Sequence, residues 1–300
     1  MEFHKITENV YYISDTTNIG VIRINDNNDV LIVDSGSDDS KGRRIVKILK
    51  ENGFQVKYII NTHMHADHIG GNHFIQKHNP EVRIISTRAE MSIIENPIFL
   101  PYFLYSGAYP VRDLRNKFLL AKPSKITDII GMDDNTVKVE DAEIGIIRLD
   151  GHTEFQKGIV YEDVLFCGDA LISEELLEKH KIPVNVNIEN AKKTLLKLKE
   201  TNYKYYLPAH GTLIEDIESL AEKNYERIKE IENKILEFVD TEKSTEKIVS
   251  YLLYSYDLNI TNATLYYLYN TTIMGYLGHL RDNKKIDLIV KNNTVYWKIK

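Results

Sequence analysis

Residues 62–71 read Thr-His-Met-His-Ala-Asp-His-Ile-Gly-Gly, which puts three histidines and one aspartate into the six positions His63–His68. So dense a set of metal-ligating side chains constrains the chain more than any other stretch of it. The preceding run, Val56–Asn61, alternates and is rich in β-formers, so it is predicted to be a strand that ends at the histidines. His63 and His65, two positions apart, then point to the same side and can reach one divalent cation. Asp67 and His68 fall at the start of the next helical stretch, Ile69–Lys77, and project differently, which suits a second ion nearby. The spacing therefore implies two metals at a strand-to-helix corner. His73 and His78, farther along, read as ordinary helix residues.

The 300 residues are 43% hydrophobic, enough to bury a core in two modest domains or one large one. No run reaches the roughly 20 apolar residues of a membrane span. Met1–Asn9 is polar and has no apolar export segment, so a cytoplasmic location is expected. The single cysteine, Cys167, excludes an internal disulfide framework, and its apolar neighbours Val164–Phe166 make a buried core thiol the expected state. A net charge of −6 argues against whole-surface attraction to nucleic acid.

The pattern along the chain is α/β. Strands are expected at Val10–Ser14, Gly20–Ile24 and Asp29–Asp34, then a helix at Lys41–Asn52 capped by Ser40 and stopped by Gly53, then the histidine strand. After a strand at Val82–Ser86, residues 96–125 carry Pro97, Pro101, Pro110 and Pro123 beside Phe99, Tyr102, Phe103, Tyr105, Tyr109 and Phe118. Prolines break regular structure while aromatics call for burial, so this insertion is expected to be an irregular excursion packed as a lid over a cleft. Strands resume at Thr136–Val139, Ala142–Leu149, Gly158–Glu162 and Val164–Cys167, followed by a helix at Glu189–Glu200 and a strand at Tyr203–Leu207. Residues 1–215 are read as the catalytic domain. Residues 216–300 begin with a charged amphipathic helix, 216–238, and continue as helices at Thr245–Leu253, Asn262–Tyr269 and Thr272–Asp282 and a hairpin of Ile286–Val290 and Thr294–Ile299. That outline is a small, mainly helical, winged-helix-like domain.

A two-metal site needs more ligands than the 63–68 cluster supplies. His152 follows Asp150-Gly151, Asp169 follows Cys167-Gly168, and His210 follows Pro208-Ala209, each at the end of a predicted strand. Strand ends on one rim of a sheet are where distant side chains can converge. With these residues in order after Asp34, residues 10–212 resemble the metallo-β-lactamase fold superfamily. The resemblance implies an αββα sandwich with the metals on one edge. It further implies that His63, His65 and His152 hold one ion, that Asp67, His68 and His210 hold the other, that Asp169 bridges them, and that Asp34 braces the liganding loop.

Two cations of this kind, zinc first, with iron or manganese able to occupy the same ligands, are expected to share a hydroxide that attacks a carbonyl or phosphoryl centre, with Asp67 as the catalytic carboxylate. The favoured substrate is a small-molecule thioester, lactone or related ester. The competing expectation is an endoribonuclease or other phosphodiesterase whose C-terminal domain contacts nucleic acid: residues 281–300 hold six basic side chains against two acidic ones, a local charge of +4. The predicted third helix shows no row of basic residues, and Tyr266, Tyr267, Tyr269 and Tyr276 suit packing or a homodimer contact better, which ranks nucleic acid second.

Overall fold

A computed structural model describes residues 1–300. The chain opens with four antiparallel strands, β1 (Glu2–Lys5), β2 (Val10–Ser14), β3 (Ile19–Arg23) and β4 (Asp29–Val33). Helix α1 (Asp39–Glu51) leads to β5 (Gln55–Ile60), the short α2 (Ala66–Ile69) and α3 (Asn72–His78) lead to β6 (Arg83–Thr87), and α4 (Arg88–Ile94) and α5 (Phe99–Leu104) lead to β7 (Asp128–Ile130). These strands form one seven-stranded sheet in sequential order, parallel from β4 onward. A second sheet takes β8 (Thr136–Val139), β9 (Ala142–Arg148), β10 (Lys157–Tyr161) and β11 (Val164–Gly168). After α6 (Glu174–His180) and α7 (Ile188–Lys199) it adds β12 (Tyr205–Pro208), in the order β12-β11-β10-β9-β8.

The period of two along each strand decides what the sheets face. In β4, Leu31 and Val33 join the core between the sheets, while Val30 and Ile32 pack outward with Ile45 and Leu49 of α1. In β11, Val164 and Phe166 point into the same central core, and Leu165 and Cys167 face Leu195 and Leu198 of α7. Strands buried on both faces read as continuous apolar runs, which is how these segments look in the sequence. The result is the expected αββα sandwich. Cys167 is fully buried, as predicted, and burial pushes its thiol well above the usual range.

Three local expectations are corrected. The cap of α1 is Asp38, whose carboxylate accepts from the Ser40 and Lys41 amides at 2.9 and 3.1 Å; Ser40 lies inside the helix. The helix expected over Ile69–Lys77 is two short ones, broken at Gly70-Gly71, where the chain presses on its neighbour: a Cβ on Gly70 would sit 2.1 Å from the Ser37 carbonyl carbon. The C-terminal region runs α8 (Glu218–Phe238), β13 (Lys243–Ser244), α9 (Thr245–Ser255), α10 (Ala263–Asp282), β14 (Ile286–Lys291) and β15 (Thr294–Ile299), with sheet order β13-β15-β14. Helix α10 replaces two predicted helices because Asn270 and Thr271 supply no breaker. Tyr269, Thr272, Ile273, Tyr276, Leu277 and Leu280 keep one buried face through the junction.

One apolar core runs from Leu165 and Tyr206 of the second sheet and Leu149 just past β9 through α7 into Ile228, Ile231, Leu252, Ile273 and Trp297. No helix is long and apolar enough to cross a membrane.

The insertion also departs from expectation. It contains α5 and a 3-10 turn at Arg112–Leu114, and it is leucine that goes inside: Leu100, Leu104, Leu114 and Leu119 form a small core with Met64, Tyr267 and Leu268. Phe99, Phe103, Tyr109 and Phe118 stay exposed. Four leucines fill most of the contact with the histidine loop and α10, with Tyr105 edge-on to Tyr267 beside them, so Phe99, Phe103, Tyr109 and Phe118 are left outside. Asn116 Nδ2 donates to Thr264 Oγ1 at 2.8 Å, and Thr264 Oγ1 to the Asp113 carbonyl at 3.0 Å, fastening the insertion to the start of α10.

Candidate metal centre

All seven ligand candidates converge at one edge of the sandwich, from the segments that follow β5, β9, β11 and β12. Their donor atoms fall into three groups, each within 4.8 Å: His63, His65 and His152; Asp67, His68 and His210; and His63, His68 and Asp169. His65 Nδ1 stands 3.0 Å from His63 Nε2 and 2.8 Å from His152 Nε2. Asp169 lies between the first two groups, with Oδ2 at 3.5 Å from His152 Nε2 and Oδ1 at 3.4 Å from His68 Nε2 and 3.5 Å from His210 Nε2. Asp67 Oδ2 is 3.2 Å from His210 Nε2. His73 and His78 stay outside the cluster on α3, bonded to Asp39 and to the Phe74 carbonyl, as ordinary helix residues.

Backbone geometry brings the carriers together. Gly151, at φ +130°, lets the His152 segment lie against α7; a Cβ there would come within 2.4 Å of the Ala191 backbone. Asp34 adopts φ +64°, a conformation uncommon for a side chain other than glycine, and its carboxylate is buried. Oδ1 accepts from the Thr62 amide at 2.9 Å; Oδ2 accepts from the Thr62 hydroxyl and from His68 Nδ1, each at 2.8 Å. The Thr62 oxygen in turn takes the His63 Nδ1 proton at 3.1 Å. One carboxylate thus turns Nε2 of His68 and, through Thr62, of His63 toward the cluster. His152 and His210 are turned the same way by donating Nδ1 protons to the Val184 and Thr16 carbonyls at 2.7 and 2.5 Å.

Electrostatics separate the histidines into two kinds. Burial, reinforced by neighbouring rings, holds His63 well below the usual imidazole range and His65 down at about 3. Burial also lowers His152, against the opposing pull of Asp169. These rings are neutral, with lone pairs available. Burial alone would lower His68 and His210 too, but Asp169 and the other carboxylates around them outweigh it, raising His68 well above and His210 to about 10.

Does this donor set suit divalent cations? His68 Nε2 and Asp169 Oδ1 are buried without a hydrogen-bond partner, a costly arrangement unless something electrophilic sits between them. Four imidazole nitrogens are oriented from behind by an oxygen acceptor, and the rest of the set is carboxylate and imidazole, the ligand chemistry of zinc and similar ions. The residues fit the group.

Thr62 and Glu90 were not foreseen from the sequence. Glu90 of α4 is 2% exposed, and its Oε1 accepts from the hydroxyl of Thr153, the residue after His152, at 2.7 Å. Burial raises its carboxyl to about 7, against hydrogen bonds from Thr153 and the Met64 backbone. Met64 and Thr153 are neighbours of ligand candidates on two separate loops, so Glu90 ties those loops together. The only sequence signal was Thr87-x-x-Glu90, which resembles a capping box; Thr87 does cap α4, but the glutamate reaches elsewhere.

Known proteins share the fold and part of the sequence. The family model described as "Metallo-beta-lactamase superfamily" matches residues 14–210. A hydroxyacylglutathione hydrolase of Prochlorococcus marinus (strain NATL1A) is 25% identical over 211 residues, covering 62% of this chain and 70% of its own length. Hydroxyacylglutathione hydrolase 1 of Vibrio vulnificus (strain YJ016) is 23% identical over 148 residues, 49% of this chain and 45% of that protein. The chain thus spans about half the length or less of several curated relatives it matches. A metallo-beta-lactamase family protein from Thermus thermophilus superposes with a TM-score of 0.73 at 16% identity, covering 95% of this chain and 94% of that one. A beta-lactamase domain protein from Burkholderia ambifaria gives 0.74 at 14% identity, covering 100% and 95%. By the family match and the fold it shares with these structures, the chain belongs to the metallo-beta-lactamase superfamily.

Proposed function

We propose that the protein is a dinuclear metal-dependent hydrolase that cleaves a small-molecule thioester or a closely related ester. The observation that carries this reading is the convergence of seven ligand candidates around two buried, unpartnered donor atoms, His68 Nε2 and Asp169 Oδ1. His63, His65 and His152 would hold one ion, Asp67, His68 and His210 the other, and Asp169 both. Zinc is the first choice for this nitrogen-rich set, with iron or manganese the alternatives. When bound, such a pair supplies Lewis acidity that brings the pKa of a water to near 7 and offsets charge on the substrate oxygen.

The chain's own residues do the remaining work. Asp34, Thr62 and the Val184 and Thr16 carbonyls fix the imidazole rings before substrate arrives, so little reorganisation is left to the reaction. Asp67, whose carboxylate is more exposed than that of Asp169, takes up the proton of the attacking water and returns it to the departing sulfur. A C–O bond forms to the acyl carbon as the C–S bond breaks, giving a thiol and a carboxylic acid that ionises to the carboxylate by releasing its proton to solvent. Relatives named for hydrolysis of hydroxyacylglutathione favour the thioester over other acyl groups.

A second reading, an endoribonuclease of the same fold, draws on the C-terminal order helix, strand, helix, helix, hairpin, which resembles that of a winged helix, and on the +4 charge of residues 281–300. It ranks lower because α10 presents Leu265, Tyr266 and Met274 to solvent, with no basic row. Metal analysis combined with a panel of thioester, lactone, phosphodiester and single-stranded RNA substrates decides between them. Metal-dependent thioester cleavage abolished in His65→Ala supports the first reading; RNA cleavage without thioester cleavage replaces it with the second.

A further inference from the structure

We propose that the 96–125 insertion binds a phosphorylated nucleotide carried on the leaving thiol of the substrate. Exposed rings stack the base, and unpaired cations hold the phosphates. The inference rests on the thioester reading above and assigns its substrate class.

The insertion holds five basic residues against one acidic one, a charge of +4. Lys122 is tied to Asp39, but Arg112, Arg115, Lys117 and Lys125 are exposed and stay outside any ion pair. Interleaved with them are Phe103, Tyr109 and Phe118, each more than 60% exposed. Arg115 is already stacked, its guanidinium 4.9 Å over the Tyr109 ring, with Nη1 donating to the Tyr109 hydroxyl at 2.7 Å. Large rings left in water beside unpaired cations form a surface for a planar base and its phosphates.

Its position suits a substrate handle. The leucine core of the insertion rests on Met64, the residue between His63 and His65. The charge of Lys117 also reaches Asp38, adding to the Ser40 hydrogen bond that chiefly lowers that carboxyl's pKa. A packed helix is about 10 Å across, so the outer face of the insertion stands roughly that far from the histidine loop. A thioester on a flexible arm can span such a layer.

Charge distribution favours a short ligand over a polynucleotide. The other basic segment, 281–300, begins at the far end of α10, whereas the insertion is fastened at Thr264 near its start; 20 helical residues separate the two by ~30 Å. Two +4 segments within a −6 chain leave −14 on the remainder, which a strand running between them would have to cross. A single nucleotide meets only the positive insertion.

The test uses the full chain loaded with zinc, and adenosine 3′,5′-bisphosphate as the binding probe. Calorimetry should show salt-sensitive binding that weakens about tenfold or more in Arg112→Glu/Lys117→Glu and in Phe103→Ala/Tyr109→Ala. For one acyl group presented on coenzyme A and on N-acetylcysteamine, the ratio of the two kcat/KM values should fall by about the same factor in both variants. Unaltered melting curves exclude misfolding of a variant, and Lys125→Glu is a further variant of the same surface. Bisphosphate binding or a kcat/KM ratio unmoved by all three variants overturns the proposal. So does tight binding of a 20-mer single-stranded RNA that the bisphosphate fails to displace. If no thioester is cleaved while the bisphosphate binds and is lost on charge reversal, the hydrolase reading has failed and the nucleotide site stands.

Discussion

The histidine edge and the insertion beside it share Met64 yet are stabilised in opposite ways. At the edge, polar side chains are buried and held by a relay of hydrogen bonds running back to Asp34, leaving His68 Nε2 and Asp169 Oδ1 facing each other without a hydrogen bond. In the insertion, four leucines are buried, Tyr105 packs against them, and Phe103, Tyr109, Phe118 and most of the basic side chains remain in water. One region gives up stability to orient its imidazole rings; the other gains it from apolar contact and leaves its surface free. In the proposed roles, chemistry and recognition are thereby separable on the two sides of one methionine.

The largest expected effect falls on the edge alone. His152→Ala should reduce metal-dependent hydrolysis by roughly a thousandfold, since the ions contribute several kcal/mol to the transition state, and should lower bound metal per chain. Full metal content in that variant would break the contrast. On the other side, Leu114→Ala removes a fully buried side chain and should cost about 3 kcal/mol of stability with metal stoichiometry unchanged. Denaturant unfolding and metal analysis on the same sample check both halves.

Glu90 joins the two loops and gives a pH signature. A carboxyl raised to about 7 in the fold favours its neutral form there, so its contribution is complete below its ordinary range and is lost as pH rises through 7. Glu90→Gln is neutral throughout and should gain stability relative to the natural chain between about pH 4.5 and 7, by on the order of 3 kcal/mol. A difference that stays flat across that window would mean that the glutamate is ionised in the fold. The smallest effect is that of Asp34→Asn, which keeps the shape but weakens the acceptor behind His68 and Thr62. Zinc affinity measured by chelator competition should fall by about 10- to 100-fold, and an unchanged affinity would remove Asp34 from the relay.

His63, His65, Asp67 and His68 were legible in the sequence because a strand ending in a helical turn concentrates ligands locally. His152, Asp169 and His210 were legible because each follows a β-rich run and a small residue at a strand end. Helix breaks were less visible: Gly70-Gly71 looked tolerable within a helix until Ser37 pressed against it, and Asn270-Thr271 looked like a boundary until α10's buried face passed through it. The aromatic insertion was read only in part: Tyr105 packs inward, but Phe99, Phe103, Tyr109 and Phe118 do not, since hydrophobicity alone does not say whether rings or leucines win a limited contact area.

By itself, the order of residues determined the alternation of the strands, the double-sided burial of the sheets and the four ligand candidates clustered at 63–68, because periodicity and local ligand spacing are properties of neighbouring positions; His152, Asp169 and His210 joined them through their strand-end contexts and the family resemblance. Tertiary structure alone decided that Asp34 reaches His68 and, through Thr62, His63, that Glu90 binds Thr153, and that Phe103 and Tyr109 face water. Those outcomes depend on which surfaces meet across tens of residues, where packing and the burial of polar groups select partners that no local pattern encodes.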